Sequence, residues 1–262
     1  MPKPLYTATN CRGAYQLNWT LSVFWREPIA SAPWLDSLKQ ATEPDGVRIL
    51  EHRFSDPSVS QFFLSTKPDV APHEFVRSVK GRLQYLVRDK RPKAFRRNYG
   101  FRSLGSVKRD VVERYVADQL GHHPMADAEV QERLQRFQTR QDDVDLSRPR
   151  HGAHGVYWYN LHIVFVHDSR YMEIREDRLR AVQGMLFQAT AKHGRQLSRA
   201  SVLPDHVHLT VGCDAGESPA EVTLGYMNNV AYVLGMKAVF QFGFYVGTFG
   251  EYDRGVVSAP RL

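Results

Sequence analysis

The sequence predicts an α+β protein built from two copies of one strand-helix-strand-strand-helix-strand unit. Internal repetition is the first observation behind this prediction. Gly13, Tyr15 and Asn18 recur as Gly155, Tyr157 and Asn160 at a constant offset of 142 residues, and Pro72 and Glu74 recur as Pro219 and Glu221 at an offset of 147. The second observation is that both copies show the same succession of alternating and amphipathic segments. Two strand-helix-strand halves in series make a ferredoxin-like sheet with its helices on one face.

In the first copy, periodicity and breakers predict six elements in order. These are a strand at residues 15–24, a helix at 34–40, strands at 47–54 and 60–65, a helix at 72–88 and a strand at 99–104. An additional helix is predicted at residues 107–120. In that helix Val112, Val116 and Leu120 form the buried stripe at a spacing of four, and Gly121 is the expected C-cap.

The second copy repeats the six elements but not the additional helix. We predict strands at residues 157–166, 197–203, 206–212 and 242–248, and helices at 175–193 and 219–234. The chain ends five residues after Val257, before a second additional helix can form. Residues 126–140 are polar and are predicted to form a solvated helix, and residues 141–155 read as a loop. The predicted divisions are therefore a first copy at 1–125, a linker at 126–154 and a second copy at 155–262.

Composition places the chain among soluble cytoplasmic proteins. The 262 residues are 42% hydrophobic, which is enough for one large core or two small ones. Residues 1–10 lack the basic start and apolar block of a secretory signal, and the apolar stretches are too short for a membrane span. Cys11 and Cys213 are the only cysteines, which suits a reducing compartment and leaves no cysteine-based metal cluster.

Positive charge is concentrated in the first half of the chain. Residues 1–150 carry 25 Lys and Arg against 18 Asp and Glu, whereas the remainder carries 10 of each. Basic residues interleaved with aromatic ones suit single-stranded DNA, because cations bind phosphates and rings stack on unpaired bases. The alternative is a solvated basic helix face. The candidate DNA-binding residues are Arg77, Lys80, Arg82, Arg88, Lys90, Arg91, Lys93, Arg96, Arg97, Arg102, Lys108 and Arg109.

The most informative motif is Pro-Asp-His-Val-His-Leu-Thr-Val at residues 204–211. Side chains alternate along a strand, so His206, His208 and Thr210 share one face while the apolar residues between them face the core. Two adjacent imidazoles can hold one cation, and the alternative is two ordinary histidines on a polar face. Cys213 lies five residues beyond His208 and is expected on the opposite face, which argues against a zinc site made by the three.

A second constellation lies on the additional helix. Tyr115 and Gln119 are four residues apart and therefore lie one above the other on the same stripe. A phenol and an amide oxygen are presented toward the same point. The alternative interpretation is a half-buried tyrosine beside a surface glutamine.

Together these motifs resemble the single-strand tyrosine transposases of the HUH superfamily, which include insertion-sequence enzymes and REP-associated transposases. The resemblance rests on the Pro-Asp-His-Val-His-Leu strand, the Pro-x-Glu helix, the Arg-Tyr-Val-x-x-Gln helix at residues 114–119 and the Lys-Gly-Arg run at 80–82. It covers residues 13–123 and 155–257. The resemblance implies a ferredoxin-like catalytic domain that cuts and rejoins single strands through a 5′-phosphotyrosine.

Matched residue by residue, the resemblance implies that His206 and His208 bind the metal, that Gln119 is the third ligand and that Tyr115 is the nucleophile. The metal would be Mg²⁺ or Mn²⁺, since three protein ligands leave positions open for substrate oxygens. Asp205 would orient a histidine from outside the ligand set, although its place at a strand start also suits a turn residue.

Neither copy holds the full set of residues. At offset 147 the histidines correspond to Val59 and Gln61, and the counterpart of Tyr115 falls near Pro260, where proline excludes a helix interior. In the insertion-sequence family members the resemblance points to dimers that share the tyrosine helix. The chain is therefore expected to act as an intrachain pseudo-dimer with one composite site, with higher assembly left open.

The predicted function is a metal-dependent single-stranded DNA nuclease and strand transferase, with hairpin or repeat ends as possible substrates. The alternative is a domesticated protein that binds single strands or hairpins without cutting. A zinc-dependent structural protein finds too few ligands. Tyr252 is a rival nucleophile because it belongs to the same copy as the histidines, and His122 and His123 are expected to be exposed tail residues.

Overall fold

The computed structural model describes residues 3–125, 127–235 and 238–251, and within them the protein is a mixed α+β structure. The first part contains β1 (Arg12–Gln16), β2 (Asn18–Trp25), α1 (Leu35–Thr42), β3 (Val47–Asp56), β4 (Val59–Thr66), α2 (Pro72–Val87), β5 (Phe95–Leu104), α3 (Arg109–Ala117) and α4 (Gln119–His122). The second contains α5 (Ala128–Gln135), β6 (Gln138–Arg140), β7 (Arg150–His151), β8 (Gly155–Trp158), β9 (Asn160–Val166), α6 (Glu176–Lys192), β10 (Gln196–Val202), β11 (His206–Gly212), α7 (Pro219–Val233) and β12 (Gly243–Thr248). The α+β class predicted from the sequence is confirmed.

The described strands form two six-stranded sheets. The first sheet has the order β3-β4-β2-β5-β8-β7, and the second has the order β1-β12-β9-β11-β10-β6. Four strands of each sheet, β2 to β5 in the first and β9 to β12 in the second, pair with one another in antiparallel fashion. Their order is the same in both sheets, β3-β4-β2-β5 in the first and β10-β11-β9-β12 in the second. In each set the first strand along the chain lies between the third and the fourth, and the second strand pairs with the third. Both halves therefore share a single topology around two helices each.

The two sheets exchange strands. β1 pairs in parallel with β12 of the second sheet, and β8 pairs in parallel with β5 of the first sheet. The single strands predicted at residues 15–24 and 157–166 are therefore wrong, because each is divided between two sheets. The chain crosses over at Leu17 and at Tyr159, both of which are 1% exposed. Alternation of side chains continues through both crossings, so the sequence pattern carried no sign of the break.

Repeated glycines make the strand exchange possible. A Cβ atom on Gly13 would lie 2.7 Å from the Phe244 ring, and one on Gly155 would lie 2.5 Å from the Tyr99 ring. Each glycine is the register partner of the aromatic residue that it faces. A side chain at either position would collide with the ring, which gives the recurrence of these glycines a packing cause.

Two further hydrogen bonds join the halves reciprocally. The His73 backbone N–H donates to the Ala215 carbonyl at 2.9 Å, and the Ala220 N–H donates to the Pro68 carbonyl at 2.8 Å. Adding 147 to 73 and 68 gives 220 and 215, so the two donors are equivalent positions of the repeat and so are the two acceptors. The contact is thus made twice in the manner of a symmetric dimer interface.

The additional helix is shorter than predicted and is interrupted. α3 ends at Ala117, and Asp118, with φ −103° and ψ 14°, separates it from α4. α4 continues through Gly121 to His122, so the predicted C-cap role of Gly121 is wrong. The buried face predicted for this helix is present, because Val112, Val116 and Leu120 are all buried.

The segment between the halves is more structured than its composition indicated. It contains the expected polar helix as α5, whose first turn is capped by the Asp127 carboxylate. It also adds β6 beside β10 at the edge of the second sheet, and β7 beside β8 in the first. Strands of three and two residues are too short to leave a period in the sequence.

α3 crosses from the first half onto the second sheet. It packs on β10 and β11, whereas α6 packs on β10 and α7 packs on β9 and β12. The side chains that meet α3 and those in the core with α6 and α7 alternate along β11, so α3 covers the opposite face. In the described part of the chain, no helix is both long and apolar enough to cross a membrane.

Candidate active site

The histidine pair lies on the face of β11 that α3 covers. β11 spans the predicted residues, and all seven of its residues are buried. His206 and His208 are 4% and 6% exposed, with their ring centroids 5.0 Å apart, while Val207 and Leu209 are fully buried in the core. The alternation predicted for this strand is therefore present, and it presents two imidazoles side by side.

Tyr115 of α3 reaches this pair from the other half of the chain. Its ring centroid lies 5.8 Å from that of His208 and 6.1 Å from that of His162, with both contacts edge-on. The Tyr115 side chain remains 44% exposed, so a substrate has access to the phenol. The helix of the first half and the strand of the second half thus meet in one place.

Gln119 lies beside Tyr115, one turn further along. It is fully buried, and its Nε2 donates to the Tyr115 carbonyl at 3.0 Å. Its Oε1 has no hydrogen-bond partner among the described residues. A buried carbonyl oxygen without a partner costs about 1–3 kcal/mol. A cation ligated at this oxygen would remove that cost.

The His206 ring is oriented by a carboxylate that itself pairs with an arginine. The Asp205 carboxylate lies 2.6 Å from His206 Nδ1, and Arg170 donates to the same carboxylate at 2.7 Å. His206 Nδ1–H donates to Asp205, so the lone pair of Nε2 faces away from the carboxylate. Histidines that ligate metals commonly donate their other ring N–H to a carboxylate in this way. Asp205 thus stands where the sequence analysis expected an orienting residue.

His208 is held by a third imidazole, that of His162 on β9. His162 Nε2 lies 3.1 Å from His208 Nδ1. Burial lowers the pKa of His208 to about 2 and that of His162 to about 4, and it also lowers the pKa of His206. The three imidazoles are therefore neutral near pH 7, which is the form that ligates cations. His162 is not among the residues predicted from the sequence, although it faces the same side of the sheet as the histidine pair.

The histidines after α3 also lie at this site. The His123 ring centroid is 5.0 Å from that of His206, and the His122 centroid is 5.6 Å from that of Tyr115. Both residues are exposed, as expected, but they are not remote tail residues. After the turn at Asp118 and the short α4, the chain lies beside β11 at His123.

The donor set fits a divalent cation of mixed nitrogen and oxygen preference. In the ranges that the structure describes, no three His, Cys, Asp or Glu side chains gather as a metal site. The donors named from the sequence are Nε2 of His206, Nε2 of His208 and Oε1 of Gln119, of which the two imidazoles are in contact with each other and the Gln119 oxygen has no hydrogen-bond partner among the described residues. Imidazole nitrogens ligate many divalent transition-metal ions, and a carbonyl oxygen is a ligand that Mg²⁺ and Mn²⁺ accept. Cys213 is fully buried, and both cysteines are free thiols.

The equivalent face of the first sheet has a different chemistry. Val59 and Gln61 occupy the positions of His206 and His208 on β4. Gln61 Oε1 accepts from Arg53 Nε at 2.7 Å, and Thr20 occupies the register position that His162 has in the second sheet. Within the described ranges this face therefore holds no adjacent imidazole pair. Tyr252, the rival nucleophile, and Pro260 lie outside the described residues.

Four of the candidate DNA-binding residues are engaged within the protein. Lys80 Nζ donates to the carbonyls of residues 96, 97 and 98 at 3.0, 3.0 and 3.4 Å, and burial lowers its pKa to about 8. Arg82 pairs with Asp45 at 2.8 Å and Arg91 pairs with Glu27 at 3.2 Å. Arg109 contacts three carboxylates, those of residues 113, 145 and 251. Lys80 and Arg109 each bind three groups of the protein itself, so their charges serve the fold.

The other candidates divide into two groups. Arg88 lies over the Tyr85 ring at 4.0 Å and Arg102 lies over the Trp158 ring at 4.3 Å, so both guanidinium groups pack on aromatic faces. The remainder are exposed and form no ion pair within the described ranges. These are Arg77, Lys90, Lys93, Arg96, Arg97 and Lys108. Lys90 and Lys93 lie between α2 and β5, and Arg96 and Arg97 lie at the beginning of β5.

Comparisons with protein-family models and with curated proteins found no match. Among solved structures, one similar chain is a REP-associated tyrosine transposase bound to a REP hairpin, with 12% identity, a TM-score of 0.31 and coverage of 35% of this chain. This chain spans 56% of the length of that transposase. A protein described as a glycine cleavage system transcriptional repressor has 9% identity, a TM-score of 0.23 and coverage of 90% and 98% of the two chains. An unknown protein from Galdieria sulphuraria has 10% identity, a TM-score of 0.23 and coverage of 89% and 97%. Likenesses at these TM-scores carry no argument about function.

Proposed function

We propose that the chain is a tandem duplicate of a ferredoxin-like unit, arranged as a pseudo-dimer within one molecule. The common strand order of the two sheets supports this proposal. So do the exchange of β1 and β8 and the reciprocal hydrogen bonds at residues 68–73 and 215–220. Isologous contacts of this kind are what a dimer would keep after fusion of its subunits.

We further propose that the protein is a metal-dependent enzyme that cuts and rejoins single-stranded DNA at one composite site. The observation that carries the proposal is the 5.8 Å separation of the Tyr115 and His208 rings. The two residues are 93 positions apart in the chain and belong to different halves. A core packing role alone would not require an exposed phenol beside buried neutral imidazoles.

In the proposed reaction the Tyr115 oxygen attacks the scissile phosphorus. A new O–P bond forms, the bond from phosphorus to the 3′ oxygen breaks, and the phenol proton leaves as the 3′ oxygen gains one. The 5′ end stays attached to Tyr115, so the energy of the phosphodiester is kept for rejoining by a 3′-hydroxyl. The same bond changes in reverse restore a continuous strand.

His206, His208 and Gln119 would hold a Mg²⁺ or Mn²⁺ ion. When bound, the ion supplies positive charge that polarises the scissile phosphate. Asp205 fixes the orientation of His206 through its contact with Nδ1. The edge-on contact with His208 holds the Tyr115 ring above the imidazoles, which limits the positions from which its oxygen can attack.

The proposed substrate is single-stranded DNA, including hairpin or repeat ends. The exposed cations at residues 90–97 and Lys108 provide phosphate contacts that do not depend on sequence. Lys108 immediately precedes α3, so a phosphate bound there would lie beside the first turn of the helix that carries Tyr115. Lys80, Arg82, Arg91 and Arg109 are not among the proposed contacts, because each already has partners within the protein.

The test is a search for a covalent protein–DNA adduct. The protein is incubated with a labelled single-stranded oligonucleotide library and Mn²⁺, and the products are separated on a denaturing gel. We expect an adduct from the wild type, none from Tyr115→Phe or His208→Ala, and a normal amount from Tyr85→Phe. Tyr85 is a suitable control because it is also an exposed helical tyrosine, 63% exposed.

An adduct that persists in Tyr115→Phe would remove Tyr115 as the nucleophile. Retained DNA binding with no adduct under either Mg²⁺ or Mn²⁺ would favour the second function, a protein that binds single strands or hairpins without cutting them.

A further inference from the structure

The His162 imidazole is a partly buried group at the site to which the proposed reaction assigns no role. It lies on β9, where its register partner on β11 is Thr210, so it is a diagonal neighbour of His208 on the same face. Its Nε2 is 3.1 Å from His208 Nδ1, and the two rings are nearly parallel, with an interplanar angle of 24°. The histidine pair thus continues into a row of three imidazoles.

The hydrogen bond between these two rings admits two proton arrangements. If His162 Nε2 carries the proton, then His208 Nδ1 accepts it and the single proton of neutral His208 must lie on Nε2. That arrangement leaves no lone pair on Nε2 for a cation. If His208 Nδ1 carries the proton instead, His162 Nε2 is the acceptor and His208 Nε2 is free to ligate.

We propose that His162 is a positioning residue that accepts the Nδ1 proton of His208 and thereby keeps His208 Nε2 open for the metal. The inference rests on the proposed function, since it assigns His208 as a ligand. His162 itself is not a ligand in this arrangement. Its own proton lies on Nδ1, so both rings of the pair are Nδ1–H tautomers.

The internal repeat supports this role. At the register position of His162 the first sheet has Thr20, and at the position of His208 it has Gln61. The imidazole that would ligate and the imidazole that would orient it are therefore present together in one sheet and replaced together in the other. If His162 served only core packing, its replacement by threonine would not need to accompany the replacement of His208 by glutamine.

The arrangement also makes the two ligand histidines alike. Asp205 accepts from His206 Nδ1 at 2.6 Å, and His162 accepts from His208 Nδ1 at 3.1 Å. Each ligand ring then has an acceptor behind it and a free Nε2 in front. Removal of such an outer partner typically costs 10–100-fold in metal affinity.

The first test measures Mn²⁺ binding by the loss of the free-ion electron paramagnetic resonance signal, without DNA. We expect His162→Leu to weaken Mn²⁺ binding about 10–100-fold. His162→Gln should remain close to wild type, because its amide oxygen reaches about where Nε2 lies and can accept the same proton. His52→Leu is the matched control, since His52 is also a partly buried histidine on a strand, with its Nε2 3.0 Å from Ser60 Oγ. Wild-type affinity in His162→Leu would overturn the inference.

The second test uses the unmodified, metal-free protein. Long-range nitrogen–proton correlations in the nuclear magnetic resonance spectrum distinguish the two histidine tautomers. We expect His162 and His208 both to be Nδ1–H, and a proton on His208 Nε2 would overturn the inference even if the variants fail to fold. If the wild type takes up no Mn²⁺ while the tautomers are as expected, the proposed metal site fails and the positioning of His208 stands.

Discussion

The strand exchange makes a strong prediction at Gly155. In Gly155→Ala the new Cβ atom would lie 2.5, 2.7 and 3.1 Å from three ring carbons of Tyr99. The Tyr99 ring has little room to move, because it stacks on Phe101 with centroids 6.4 Å apart and an interplanar angle of 9°. Phe101 in turn stacks on Tyr157 at 5.0 Å. Overpacking of this kind costs about 1–3 kcal/mol, so we expect Gly155→Ala to lower the free energy of unfolding by that amount.

The assay is urea unfolding of matched variants. Gly13→Ala, whose Cβ would meet the Phe244 ring at 2.7 Å, should be destabilised to a similar extent. Gly184→Ala is the control, because nothing lies within 4 Å of its Cβ position inside α6, and helix propensity there favours alanine by about 1 kcal/mol. If Gly155→Ala were as stable as the wild type, the close approach of β8 to β5 would be disproved as the reason for this glycine.

Three further predictions concern the site and its surroundings. Gln119→Leu removes a buried oxygen without a partner, so we expect unchanged or higher stability in urea together with at least a tenfold loss of Tyr115–DNA adduct. Arg97→Ala should weaken single-strand binding and reduce the slope of log K against log salt by about 0.7, whereas Lys80→Met should leave that slope unchanged and lower stability, as read by filter binding and urea unfolding. Burial lowers the pKa of His162 from 6.5 to about 4 in the folded protein. Between pH 6.5 and pH 4 this histidine is therefore protonated in the unfolded chain but not in the folded one. The stability that the protein has above pH 6.5 is thus lost as the pH falls toward 4. His162→Gln should remove about 3 kcal/mol of this acid loss, which unfolding curves at pH 7 and pH 4 would detect.

The sequence predicted the elements whose period is long and uninterrupted. β11 has the predicted bounds, and α7 differs from its prediction by one residue at its C-terminal end. The repeat also indicated that Tyr115 and the histidines belong to different halves. Their proximity could be anticipated only through the resemblance to enzymes that share a tyrosine helix, since no local pattern reports on a contact across 93 residues.

Other features left no trace that a single sequence could reveal. The crossovers at Leu17 and Tyr159 preserve the alternation of side chains, so one strand and two strands look the same. His162 lies on a polar face like many histidines, and its role depends on which strand lies beside β9. The return of the chain at Asp118, which brings His123 to His206, depends on tertiary packing that overrides helix propensity.

The decisive measurement is a complementation experiment between two inactive variants. Tyr115→Phe and His208→Ala are each tested for the covalent DNA adduct alone and are then mixed in equal amounts. If Tyr115 serves the histidines of its own chain, the wild type forms the adduct and the mixture does not, because neither variant holds a complete site. Recovery of the adduct in the mixture would show that the phenol of one molecule serves the histidines of another, which contradicts a composite site within one chain.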